Sequence, residues 1–136
     1  MGLDQWILRN DGKSKPDIDD NGDWVNVTEC IQLRKEYWLR NILNPYVKER
    51  TGRNITDLCA EFIPISRDEL LEVTGKTKRS VRLKDELEVM DTYRTGMFYS
   101  NHDFDWCIMG MSDFNRVMCN RLRSDKETQY YYFESW

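Results

Sequence analysis

The stretch FDWCIMGMSDFNRVMCNRLRSDKETQYYYFESW, residues 104–136, sets two periodicities side by side. Phe104, Ile108, Met111, Phe114, Val117, Met118 and Leu122 recur mostly at three- and four-residue intervals, the spacing that stacks side chains on one face of an α-helix. Gly110 is the weak point of that helix, because glycine gives up more backbone freedom than any other residue. Asp103, at the end of the turn Ser100 to Asp103, is suited to cap its start. Beyond Leu122 the period changes. Gln129 to Trp136 carries the aromatic run Tyr130 to Phe133, which favours a pleated strand. A long helix delivering the chain into an aromatic strand implies an α+β fold.

The rest of the chain extends this reading. Cys59 to Ile65 has strand character, and Ser66-Arg67-Asp68-Glu69 directly after it forms a capping-box pattern ahead of Leu70, Leu71 and Val73. That predicts a short helix ending at Gly75. A basic loop, Lys76 to Lys84, follows, then a second short helix from about Leu83 to Thr92 and a short strand at Met97-Phe98-Tyr99. Nearer the N-terminus, Leu3 to Arg9 reads as a strand with Trp6 and Leu8 on one face, and Trp24 to Thr28 alternates as its hairpin partner. Between them lies a loop rich in Asp, Asn, Gly and Pro. From Cys30, apolar residues Ile31, Tyr37, Trp38, Ile42, Leu43, Tyr46 and Val47 follow helical spacing. Thr28 stands as N-cap, Thr51-Gly52 as the stop, and Pro45 is expected to end or kink the helix near Asn44. The expected architecture is one domain over residues 1–136. It consists of a small mixed or antiparallel sheet of about five strands packed with two main helices and one or two short ones.

The net charge of −4 disfavours a protein that coats nucleic acid non-specifically. No apolar run approaches the roughly 20 residues that span a bilayer, and Met1-Gly2-Leu3-Asp4 lacks a signal-peptide pattern, so no membrane partner is expected. Cys30, Cys59, Cys107 and Cys119 form no CxxC pair and are expected as packed, reduced thiols.

Several motifs bear on chemistry. Asp17, Asp19, Asn21, Gly22 and Asp23 match the first half of a calcium-binding loop, with oxygen ligands at alternate positions and a glycine at the sharp turn. The second half departs, since Thr28 stands where the bidentate Glu belongs and Pro16 opposes an entering helix. A solvated hairpin loop without cofactor is therefore expected, with calcium the alternative. Gly75-Lys76-Thr77 lacks the first glycine of a phosphate loop, that place being held by Leu70. Lys76, Lys78, Arg79, Arg82 and Lys84 make a nucleic-acid contact an alternative function. His102 and Cys107 make a small enzyme a further one, because an imidazole can activate a thiol as nucleophile. Tyr130, Tyr131, Tyr132 and Phe133 are the candidate partner-binding residues. On a strand they alternate, so either Tyr130 and Tyr132 or Tyr131 and Phe133 face outward.

Five segments in order carry a further likeness: Met1-Gly2-Leu3-Asp4; Tyr37-Trp38-Leu39-Arg40-Asn41; Gly96-Met97-Phe98-Tyr99-Ser100; His102-Asp103-Phe104-Asp105-Trp106; and Tyr131-Tyr132-Phe133-Glu134-Ser135-Trp136. Together they resemble a family of small proteins of tailed bacteriophages. That family's Ile-His after the first helix motif is Ile42-Leu43 here, so no role of that His carries over. The resemblance implies a phage origin and a host-cytoplasm setting and brings no catalytic activity with it. The expected function is that of an accessory protein binding a host or defence protein.

Overall fold

In a computed structural model, residues 2–12, 14–84, 104–125 and 128–136 are described. The first strand, β1 (Asp4–Asn10), pairs antiparallel with β4 (Val27–Arg34) on one side and β6 (Tyr130–Ser135) on the other. A short strand, β5 (Ile63–Ile65), adds to the free side of β6, giving a four-stranded antiparallel sheet of order β4-β1-β6-β5. A separate two-stranded ribbon joins β2 (Asp17–Ile18) to β3 (Trp24–Val25). Three α-helices, α1 (Tyr37–Thr51), α2 (Arg67–Arg82) and α3 (Phe104–Ser124), and a short 3-10 helix at Ile55–Asp57 complete the described elements. The mixed α+β class follows the sequence reading.

All three helices share one core with one face of the sheet. Ile7, Leu33, Ile65 and Tyr132 from the strands meet Trp38 and Ile42 of α1, Leu70 and Val73 of α2, and Phe114 and Met118 of α3. Trp38 and Phe114 pack edge to face with centroids 5.6 Å apart. The opposite sheet face holds a second, smaller cluster around Leu8, Val27 and Phe133. Period-2 alternation produces this division: in β1, Ile7 turns toward the helices while Trp6 and Leu8 turn away.

Several boundaries differ from the sequence reading. Cys30 to Arg34 belongs to β4, not to a helix, and Thr28 is a strand residue instead of an N-cap. Pairing of Ile31 with Ile7 and of Leu33 with Gln5 holds this segment extended. Lys35, at φ 56°, then turns the chain, and α1 begins at Tyr37. Pro45 does not end α1, because buried Ile42, Leu43 and Val47 on either side hold the helical register through it. The stop at Thr51-Gly52 does form: Gly52 is left-handed and donates its N–H to the Lys48 carbonyl at 2.8 Å. The strand before Ser66 spans only Ile63–Ile65, preceded by Ala60 at φ 60°. Gly75 does not stop α2, which continues to Arg82 with Val73, Thr77 and Ser80 buried. The basic run therefore lies along a helix instead of a loop. The expected helix over Leu83–Thr92, apart from its first two residues, and the strand at Met97-Phe98-Tyr99 fall outside the described residues.

The capping box forms as read. Ser66 Oγ accepts from the Glu69 N–H at 3.1 Å, and Glu69 Oε1 accepts from the Ser66 N–H at 2.9 Å. Arg50 Nη2 lies 2.6 Å from the same Glu69 oxygen, so the cap also ties α1 to α2. Ser66→Ala is expected to cost about 1 kcal/mol, since it leaves an orphan N–H at the helix start. A lowered urea midpoint with an unchanged slope is the signature to look for.

Candidate functional site

The sheet face turned away from the helices carries an aromatic surface assembled from four parts of the chain. Trp6 comes from β1, Trp24 from β3, Phe62 from the residue before β5, and Tyr131 and Phe133 from β6. Their rings meet mainly edge to face: Trp6 with Trp24 at 5.5 Å, Trp24 with Phe133 at 5.2 Å, Trp24 with Phe62 at 6.0 Å, and Phe62 with Tyr131 at 6.3 Å. Edge-to-face contacts between ring quadrupoles fix each ring relative to its neighbours. Phe133 is buried, while Trp6, Trp24, Phe62 and Tyr131 are only partly covered and present ring surface to solvent.

Carboxylates border this surface. The ribbon that supplies Trp24 also carries Asp17, Asp19, Asp20 and Asp23, all exposed, and Glu61 is exposed beside Phe62. Asp19 organises the ribbon's turn by accepting the N–H groups of Asn21 and Asp23, each at 2.9 Å. Asp17 accepts from the Ile18 N–H at 2.7 Å. Gly22 adopts φ 83° at the tip, which a side chain would oppose. Asp17, Asp19, Asn21 and Asp23 thus act as turn residues, and among the described residues no group of three His, Cys, Asp or Glu side chains could hold a metal ion.

The chain matches no protein-family model, no curated protein and no solved structure. The functional reading therefore stands on the residues themselves.

Within the run Tyr130 to Phe133, Tyr130 and Tyr132 face the helical core and are buried, while Tyr131 and Phe133 turn to the opposite sheet face, where Phe133 is buried and Tyr131 partly exposed. The phenol of Tyr132 donates to Glu134 Oε1 and accepts from Gln5 Nε2, both at 2.9 Å. Tyr130 bonds Asp125 at 3.3 Å and is pushed up to about 12 by burial and that carboxylate. The sequence reading missed Trp6, Trp24 and Phe62 as surface partners of Tyr131. Trp6 and Trp24 were visible on strand faces, but their convergence depends on the β1–β6 register and on how the ribbon folds over.

Lys76, Lys78, Arg79 and Arg82 lie on α2 and Lys84 just beyond its end, with Lys78, Arg79, Arg82 and Lys84 exposed. Lys76 is half-buried, its ammonium 5.6 Å from the centre of the Tyr46 ring. Cys107 is 1% exposed within the helical core, so its thiol is closed to a substrate, and His102 lies outside the described residues. The enzyme reading centred on that pair loses its nucleophile. Burial pushes the Cys30 thiol up to about 11, which removes it as a thiolate near neutral pH. No disulfide joins the four cysteines.

A buried polar chain links the two inner strands, β1 and β6, to α1 and the residue before it. Gln5 accepts the Glu36 N–H at 2.8 Å and donates to the Glu36 carbonyl and the Tyr132 phenol. Tyr132 leads to Glu134, which Arg40 grips with Nε at 3.1 Å and Nη2 at 2.5 Å. Trp136 Nε1 adds a third donor to Glu134 at 2.9 Å. Two side chains of this chain reach shallow pockets: Glu36 at one end, and Arg40 at the other beside Tyr37 and Trp136.

Proposed function

We propose that this chain is a phage accessory protein that binds a basic surface of a host or defence protein through Trp6, Trp24, Phe62 and Tyr131. The observation that carries the reading is the partly covered aromatic cluster bordered by carboxylates. Mutually braced rings lose little freedom on docking, and aromatic residues anchor protein interfaces disproportionately. The bordering Asp17, Asp20, Asp23 and Glu61 favour a partner rich in Lys and Arg, both for steering and for rejecting acidic surfaces. Among the described residues no helix is long and apolar enough to cross a membrane. The host cytoplasm is the proposed setting.

Capture from bacterial lysate, followed by purification of the retained protein, tests this reading. Trp24→Ala is expected to weaken the purified complex about tenfold or more, as truncation of an interface anchor does. Asp20→Lys, an exposed position, should slow association several-fold, with a smaller effect at high salt. Undiminished binding by both variants, each shown to be folded by circular dichroism, overturns the proposal. A second reading rests on Lys78, Arg79 and Arg82 sharing the exposed side of α2. Recovery that disappears with nuclease and with Arg79→Ala/Arg82→Ala, while surviving Trp24→Ala, moves the function to nucleic acid.

A further inference from the structure

Between the end of β4 and the first turns of α3 lies a pocket of about 230 Å³ whose lining includes Arg34, Glu36, Trp106, Met109, Gly110 and Asp113. It shares no residue with the aromatic cluster. We propose that it is a guanidinium-binding site that takes an arginine side chain. Its volume falls below the roughly 300–1,000 Å³ of sites that enclose a whole drug-sized ligand, which suits a single side chain.

The donor set fits that group. Glu36 is 6% exposed and is one of the residues of the lining. Trp38 Nε1 donates to Glu36 Oε2 at 2.5 Å, using one of about four acceptor positions on the carboxylate. The carboxylate lies flat against α3 at Gly110, where an added Cβ would come within 2.4 Å of its carbon and both oxygens. It is therefore fixed in place before any ligand arrives. Asp113 sits three residues further along α3, with exposed Arg116 at 3.5 Å. Trp106, one helical turn before Gly110, is 43% exposed, and Met109 is 66% exposed.

Two carboxylates and a tryptophan in one lining suit a planar cation that can hydrogen-bond in its plane and stack on an aromatic ring, which describes guanidinium better than ammonium. Arg34 is the cation in the lining, with Asp4 3.8 Å from it, as Asp113 has Arg116 at 3.5 Å; Glu36 is the acid of the lining that is shielded from solvent. Burial, with Asp113 adding to it, holds the Glu36 carboxyl up at about 7, the condition of a desolvated acid that a cation would relieve.

The test is an NMR titration of the isotopically labelled full chain with N-acetyl-arginine N-methylamide, following the Trp106 indole and the Gly110 amide. Saturable shifts at both are expected, with the lysine analogue several-fold weaker and the uncharged citrulline analogue inert. Glu36→Gln should reduce affinity about tenfold and Asp113→Asn by less, in keeping with the loss of a charged hydrogen-bond partner. Weaker binding of free arginine assigns the site to a protein segment; equal or tighter binding assigns it to a small guanidine. An absent response, equal binding of citrulline, or an unchanged affinity in folded Glu36→Gln overturns the proposal.

Discussion

Arg40→Met is expected to destabilise the fold by about 3–5 kcal/mol, the typical cost of removing one partner from a buried ion pair. Glu134 is 0% exposed and sits on β6, with its side chain held by Arg40, Tyr132 and Trp136. Without Arg40 its charge keeps two neutral donors and no cation. Two neutral hydrogen bonds do not offset the removal of a carboxylate from water. Met fills much of the volume of the arginine stem, so a loss of this size reports charge and not a cavity. A double variant separates the causes. Arg40→Met/Glu134→Gln should recover most of the loss, because no buried charge remains. A deficit as large in the double variant as in the single one would mean that Arg40 acts through packing alone.

How much of this was legible in the sequence depended on range. Signals contained within four or five residues were read well: the Ser66–Glu69 box, the Thr51-Gly52 stop, the long period of α3 and the aromatic strand at the C-terminus. Where local chemistry and tertiary pairing disagreed, pairing won. Ile31 fits a helical spacing with Tyr37 and Trp38, yet its pairing with Ile7 holds it in β4. Gly75 and Pro45 are weak helix residues, worth about 1 and 3 kcal/mol against Ala, and buried neighbours on both sides outweigh them.

The aromatic surface was half legible. Trp6 and Leu8 on one strand face follow from alternation, but Trp24 and Phe62 reach Phe133 only through the sheet order β4-β1-β6-β5. Along β6, Tyr130 and Tyr132 are buried against the helices and Phe133 within the opposite cluster, which leaves Tyr131 as the partly exposed member of the run. Glu36 carried no signal at all. One glutamate before a helix reads as solvated, and its burial comes from Gly110, over seventy residues away in sequence.

That burial makes the stability of the protein depend on pH in a direction opposite to the common carboxylate case. Glu36 is held up at about 7 in the fold, first by desolvation and then by the charge of Asp113, against an ordinary value of 4.5. The folded state therefore binds the proton more tightly than the unfolded chain does. Glu36 contributes no penalty below pH 4.5, a growing one between 4.5 and 7, and its full penalty above 7. The wild type is expected to lose about 2.5 kcal/mol from this group between pH 5 and pH 8. Glu36→Gln, which keeps an acceptor for Trp38 Nε1, should be nearly flat over that range and more stable than the wild type at pH 8. Cys30, Tyr46 and Tyr130, pushed up to about 11, 12 and 12, stay protonated throughout and do not contribute. His102 is the chain's single histidine, so measuring both proteins in a His102→Gln background removes the other group with an ordinary value in this window. Urea midpoints at pH 5, 6, 7 and 8 supply the comparison. Parallel curves for the two proteins would place an ordinary, ionised carboxylate at Glu36, and the guanidinium pocket would lose its desolvated floor with it.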